Sequence, residues 1–370
     1  MKRIIFDYYV IVALAISVIF TSCNKTTDDE ICANFFKPQK GDVYVVGYEA
    51  RGEEYNANEY RIEHRYIAML WKNGIAKNLT DGKHEASAAS IYVSGNDVYA
   101  AGYEASGHEY TTWYGTVENR QVAKLWKNGK VQNLTDGTCD ACAHSVFVSD
   151  GDVYVAGWER SGQEYKDNDI IGTERRYVAK LWKNGEAQNL TDGTHDAQAV
   201  SVFVSDNDVY VTGTENSVNA ILWKNGEAEI LFSSFYGAGA TSVFVADDDV
   251  YVTVVRYGMT SSSGRFLKNG SEQNLNINSP NSVYVSGDDV YVVGTAQFQG
   301  TPAGTKLWKN GVEKYLADIG FGAYSVYVAD NDVYVAGRDI RAAMLSKNDV
   351  AQNLTDGTFY ASANSVFVVE

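Results

Sequence analysis

From residue 41 onward, short apolar runs alternate with turn residues in a pattern that recurs seven times. One unit contains four predicted strands, A to D, at residues 145–148, 152–157, 178–182 and 187–190. The Asn-Gly pair at 184–185, between C and D, favours a type I′ hairpin because both central residues of that turn take positive φ. The inner runs are apolar on both faces, which is typical of a sheet packed between two others.

Three sequence landmarks define the repeat: Asp-Val-Tyr, Leu-Trp-Lys-Asn-Gly and Ser-(Val/Ile)-aromatic-Val, each found seven times with close variants. The first landmark begins at Asp42, Asp97, Asp152, Asp208, Asp249, Asp289 and Asp332. Their spacings of 55, 55, 56, 41, 40 and 43 residues are blade lengths of β-propellers.

The phase of the repeats predicts how the ring closes. The first unit begins at strand B, and the chain ends on a spare A strand at residues 365–369. Closure by that strand removes the open sheet edges that invite aggregation. The predicted fold class is therefore all-β: a seven-bladed β-propeller over residues 41–370, with four antiparallel strands per blade, closed by the C-terminal strand completing blade 1.

These repeats resemble the Asp-Val-Tyr/Trp-Lys-Asn-Gly propeller repeats of surface lipoproteins of Bacteroidetes-type bacteria. The resemblance implies the fold and a cell-surface location, and no particular activity. Leu267 and Ser346 stand where the other blades have Trp, so we expect different packing in blades 5 and 7.

The N-terminal segment is predicted to be a targeting signal. Residues 1–22 have a basic start and an apolar run, and small residues precede Cys23, which resembles a bacterial lipoprotein signal peptide with Cys23 as the lipidated residue. An uncleaved helical anchor is the alternative. Residues 23–40 are interpreted as a flexible tether, and the acidic stretch at 26–30 resembles a surface-export signal. We therefore expect an outer-membrane lipoprotein at the cell surface, held to the membrane by its lipid alone.

The B–C loops differ between blades. They span 22 residues in blades 1 and 2 (48–69 and 103–124) and 23 in blade 3 (158–180), against 8 in blade 4 and 7 in blade 7. B–C and D–A loops share one face of a propeller, so the three insertions must rise over one sector. We interpret them as extended hairpins and, since loops on rigid scaffolds commonly bind ligands, as a binding surface.

The insertions repeat an aromatic–Glu pair, and these residues suit a glycan or a protein ligand better than nucleic acid. The candidate ligand-binding residues are Tyr48, Glu49, Tyr55, Tyr103, Glu104, Tyr110, Trp113, Trp158, Glu159 and Tyr165.

The D–A loops of the same blades place His84, Cys139 and His195 at one equivalent position, with Cys142 close to Cys139. Three interpretations stay open for the cysteines: a disulfide, favoured by export, a zinc site, and free thiols. No metal is predicted as the leading choice, and Cys32 has no evident partner.

The repeated residues themselves are interpreted as structural: the Trp residues as core, the Asp residues as turn acceptors, and the Lys residues as their solvated partners. A ring of calcium sites at the Asp residues is the weaker alternative.

Net charge and the motifs that the sequence lacks reduce the number of function classes to consider. The formal charge is −16, which disfavours binding to nucleic acid or anionic lipid. The sequence contains no nucleophile elbow, Walker loop, dinucleotide fingerprint or His-Glu-x-x-His motif, and no cofactor is predicted. The leading hypothesis is a surface-anchored binding propeller that uses the loop face of blades 1–3. The alternative is a polysaccharide-active lyase or hydrolase on the same face.

Overall fold

The computed structural model describes one compact unit from Phe36 to Glu370. The described residues are 34–370 except 57–60, 112–116, 162–165, 168–169, 172–175, 260, 274, 276–277, 297–303, 317–318 and 321. In this part of the chain, no helix has the length and apolar character needed to cross a membrane. The lipidation site Cys23 and most of the predicted tether lie outside the described residues.

The described chain contains thirty strands. Those of the first three blades are β1 (Val43–Asn56), β2 (Arg61–Lys72), β3 (Ile75–Asn78), β4 (Ala86–Ser94), β5 (Asp97–Thr111), β6 (Val117–Lys127), β7 (Lys130–Asn133), β8 (Ala141–Ser149), β9 (Asp152–Arg160), β10 (Lys166–Asp167), β11 (Ile170–Ile171), β12 (Tyr177–Lys183) and β13 (Glu186–Asn189). Those of the next two are β14 (Ala197–Ser205), β15 (Asp208–Glu215), β16 (Asn219–Lys224), β17 (Glu227–Ser233), β18 (Ala238–Ala246), β19 (Asp249–Arg256), β20 (Ser263–Lys268) and β21 (Ser271–Gln273). The remainder are β22 (Ser279–Ser286), β23 (Asp289–Ala296), β24 (Gly304–Lys309), β25 (Val312–Tyr315), β26 (Gly322–Ala329), β27 (Asp332–Arg338), β28 (Ala343–Lys347), β29 (Val350–Asn353) and β30 (Ala361–Val368).

Seven four-stranded antiparallel sheets are arranged as the blades of a propeller, and the fold prediction is confirmed. Five blades use four consecutive strands A to D, blade 3 uses β8, β9, β12 and β13, and blade 1 has the order β3-β2-β1-β30. The last strand pairs with the first, with Val43 opposite Val368 and Glu49 opposite Ala361. Sequence phase thus identified the closing strand correctly.

The Asp-Val-Tyr and Lys-Asn-Gly landmarks form one polar clasp in every blade. The Asn side chain of the C–D turn donates a hydrogen bond to the Asp carboxylate at 2.6–2.8 Å. It also accepts one from the backbone N–H of the Val that follows this Asp in strand B, at 2.8–2.9 Å. The Lys ammonium lies 2.5–2.7 Å from the same carboxylate and 5.1–5.3 Å from the Tyr ring centroid. The predicted type I′ geometry is confirmed by positive φ at both central residues, such as 53° at Asn184 and 87° at Gly185. The clasp ties strand B to the C–D turn.

The third landmark joins neighbouring blades. Each Ser hydroxyl of the motif accepts the backbone N–H of the residue after the Ser in the next A strand, at 3.1–3.3 Å, and the seven bonds close a circle. The aromatic residues two positions later also form a closed circle, with neighbouring ring centroids 4.6–5.0 Å apart. This aromatic collar consists of Tyr92, Phe147, Phe203, Phe244, Tyr284, Tyr327 and Phe367. The motif therefore gives the innermost strand of each blade hydrogen-bond and ring contacts with the blades on both sides.

The cores lie between blades. Trp182 of blade 3 packs in one cluster with Tyr99 of blade 2, and Trp223 of blade 4 does the same with Tyr154 of blade 3. The five Trp residues of the repeat are at most 1% exposed. In blade 5, Leu267 takes the Trp position in its cluster.

The segment before blade 1 packs on the face formed by the A–B and C–D turns, which we call the turn face. Phe36 is buried, with its ring against Gly129 of a C–D turn and under the ammonium of Lys77 at 4.6 Å. The backbone of Gly41 donates to Val369 at 2.7 Å. The described part of the N-terminal segment therefore joins the ring at the turn face.

Candidate functional site

The loop face, formed by the B–C and D–A loops, carries the insertions. In blades 1 and 2 they are extended hairpins, because β1 and β2 pair as far as Asn56 opposite Arg61 and β5 and β6 as far as Thr111 opposite Val117. Blade 3 differs: β9 and β12 stop pairing at Arg160 opposite Tyr177, and the insertion contains a separate pair, β10 and β11. The three insertions are therefore not structurally equivalent, despite their similar sequences.

One strand-B position, at the base of each B–C loop, differs around the ring. It lies six residues after the Asp of the landmark, and it is occupied in blades 1 to 7 by Tyr48, Tyr103, Trp158, Thr214, Val255, Thr295 and Arg338. Since blade 7 is the neighbour of blade 1, the arginine and the three aromatic residues form one continuous arc. We call these four residues the loop-face arc.

The aromatic members of the arc are half-buried and packed. Tyr48 meets Tyr66 edge to face with centroids 4.8 Å apart, and Trp158 meets Tyr177 in the same way at 4.6 Å. The Tyr103 hydroxyl donates to the Glu85 carboxylate at 3.0 Å. Burial, and then the nearby Glu85 carboxylate, hold the pKa of Tyr103 far above its usual range, so its phenol stays protonated at neutral pH.

The predicted acidic members have cationic partners within the chain. Glu104 lies 3.0 Å from Lys124, and Glu159 lies 2.9 Å from Lys180. Glu49 lies 3.3 Å from Arg51, while its burial raises the pKa of the carboxyl. The Glu104 and Glu159 contacts join neighbouring strands, whereas the Glu49 contact lies within β1. The Glu residues are therefore engaged by cations of the chain itself.

The other predicted residues are only partly described. Tyr55 lies in β1 and Tyr110 in β5, and their side chains lie outside the described part of the structure. Trp113 and Tyr165 lie entirely outside the described residues.

Sequence analysis missed two residues of blade 7, Arg338 and Tyr324. Burial raises the pKa of the Tyr324 phenol, and the nearby positive charge of Arg338 opposes that rise. Comparing the strand-B position across all seven blades, and not only within the insertions, would have singled out Arg338.

Cys139 and Cys142 are free thiols in the structure, and Cys142 is buried in β8. Burial raises the pKa of Cys142 to about 12, so it carries a neutral thiol. In the described part of the chain, no group of three or more His, Cys, Asp or Glu side chains is placed to hold a metal ion. The disulfide stays a prediction for the exported protein.

A second feature of the loop face lies across blades 4 and 5. Phe235 is 89% and Met259 is 80% exposed, with Tyr236 and Tyr257 beside them half exposed. The rings of Phe235 and Tyr236 are 5.3 Å apart. This apolar patch lies outside the arc.

Comparison with known proteins gave similarity to solved structures alone. No protein-family model matches the chain, and no curated protein matches it. The Trypanosoma rangeli sialidase in complex with sialic acid is 11% identical with a TM-score of 0.41, over 84% of this chain and 57% of that one. The β-propeller domain of the Trilobed protease from Pyrococcus furiosus is 10% identical with a TM-score of 0.37, over 74% and 99%. The structure of YjhT is 12% identical with a TM-score of 0.36, over 71% and 96%. The fold assignment therefore depends on the strand topology, which makes the chain a seven-bladed β-propeller.

Proposed function

We propose that this protein is a binding propeller anchored at the bacterial outer membrane, and that it holds a glycan against the loop-face arc. One observation carries the proposal: the same strand-B position has Tyr, Tyr and Trp in three adjacent blades and small or aliphatic residues in blades 4 to 6. Aromatic rings offer apolar faces on which sugar rings stack, and rigid aromatic anchors dominate many recognition sites.

The N-terminal segment enters the ring on the turn face. Phe36 and Gly41 are bound at the turn face, so a lipid on Cys23 would tether the ring from that side. The tether would then enter the ring on the face opposite the loop-face arc.

The test measures binding of a panel of neutral and acidic oligosaccharides to the wild-type protein and to Tyr48→Ala, Tyr103→Ala and Trp158→Ala, with the melting temperature recorded for each. An aromatic contact contributes about 1 kcal/mol or more, so each substitution should weaken binding about fivefold or more. Tyr257→Ala is the matched control, because it removes a half-exposed aromatic residue from the same face in blade 5.

Two results would oppose the proposal. Loss of binding in Tyr257→Ala with the arc variants unaffected would move the site to blades 4 and 5. Release of cleavage products from any oligosaccharide of the panel would favour the alternative, a polysaccharide-active enzyme.

A further inference from the structure

We propose that Arg338, together with the Tyr324 hydroxyl and beside Tyr48, binds the carboxylate of an acidic sugar where blades 7 and 1 meet on the loop face. This inference rests on the proposed function and names the ligand class for the same arc. Arg338 is the last residue of β27, so it stands at the entrance to a B–C loop, and ring closure makes blade 1 its neighbour.

A glycine makes room for the arrangement. Gly322 of β26 is the ladder partner of Arg338, and a Cβ at Gly322 would lie 3.0 Å from the Tyr324 hydroxyl oxygen. Tyr324 occupies the β-bulge of this strand pair, between Ala323 and Ser325. The Tyr324 ring lies close to Gly322. The missing side chain therefore leaves space for a phenol beside the guanidinium.

Arg338 differs from other half-buried cations of the ring. Lys124 and Lys180 each have a Glu within 3.0 Å, whereas no ion pair is formed by Arg338 among the described residues. Its buried Nε has no hydrogen-bond partner there, a feature that it shares with Arg160 and Arg265. A guanidinium presents a planar fork of donors that matches a carboxylate in two parallel bonds. The side chain is therefore suited to an anion that the chain itself does not supply.

The surrounding phenols complete a donor set. Burial raises the pKa of Tyr324 and of Tyr66, so both hydroxyls remain protonated and able to donate at neutral pH. The net charge of −16 repels polyanions at long range. We therefore expect a sugar with a single carboxylate to bind better than a polyuronate.

The experiment compares two probes by calorimetry: a trisaccharide ending in glucuronic acid, and the same trisaccharide with its carboxyl reduced to a hydroxymethyl group. Wild type should prefer the acid. Arg338→Gln should lose about tenfold or more in affinity for the acid and keep its affinity for the reduced probe. Arg338→Lys should recover part of the loss. Gly322→Ala should reduce the preference by displacing the Tyr324 hydroxyl.

The matched control is Arg256→Gln, which removes the same charge from an exposed position on the loop face of blade 5, and it should leave the preference intact. An equal loss in Arg256→Gln and Arg338→Gln would show a general charge effect and overturn the assignment. Equal affinity of wild type for the two probes would overturn the carboxylate site while leaving the glycan-binding arc in place. Absence of binding to either probe would overturn it as well, and the neutral members of the wider panel would then decide the proposed function separately.

Discussion

Removal of the closing strand is the most direct perturbation of this ring. Deletion of residues 361–370 takes away β30, which pairs with β1 from Val43 to Glu49. Val366 is 4% and Val368 is 3% exposed, and Phe367 contacts both neighbours in the aromatic collar. Burial of one such valine contributes about 1.5–3 kcal/mol, so the two valines together contribute roughly 3–6 kcal/mol, and the partly buried Phe367 adds to this sum. That is comparable to the whole stability of a typical domain, about 5–15 kcal/mol.

The truncated chain should therefore be largely unfolded or associated at 25 °C, because β1 also gains an open edge. Circular dichroism with thermal melting, together with light scattering, measures both outcomes. A synthetic peptide of residues 361–370 should restore the fold when added in trans, and deletion of Glu370 alone is the control. A monomeric truncated protein that melts within a few degrees of wild type would refute the closure argument.

Three further predictions test other parts of the chain. The Ser242 hydroxyl accepts a hydrogen bond from the backbone N–H of Val283 at 3.2 Å, and Ser242→Ala removes that acceptor. The free energy of unfolding, measured with urea, should fall by about 1–3 kcal/mol. An unchanged urea midpoint would argue that the serine circle does not stabilise the fold. Burial lowers the pKa of His144, so as pH falls below the unfolded value of about 6.5 the unfolded chain takes up a proton that the folded chain does not, and the melting temperature falls. His144→Asn, which introduces the residue type that Asn281 provides at the same bulge of blade 6, should flatten that dependence between pH 7 and 5, and parallel curves for the two proteins would contradict it. Cys23→Ala should release the protein from membranes in cell fractionation, whereas retention with the acyl label intact would refute the predicted lipid anchor.

The fold could be predicted from sequence because a propeller repeats a local pattern. Asn184-Gly185 specifies its hairpin through backbone conformation, and the spare strand at the C-terminus is visible from repeat phase. Such features depend on residues close together in the chain. Local pattern supplied the partners only in part: the Lys of the C–D turn was expected beside each Asp carboxylate and lies there, whereas the Asn side chain that donates to the same carboxylate was not expected.

The candidate site also contains residues that the sequence indicates and one that only the structure reveals. Tyr48, Tyr103 and Trp158 could be found from the sequence, because the insertions that follow them interrupt the repeat. Arg338 could not be placed beside Tyr48 without the structure, since 290 positions of chain separate them and only the pairing of β30 with β1 makes blades 7 and 1 neighbours. The sequence by itself determined the blades and their number, because strands and turns follow from local periodicity. The tertiary structure alone decided which side chains meet across blades, because that depends on closure of the ring.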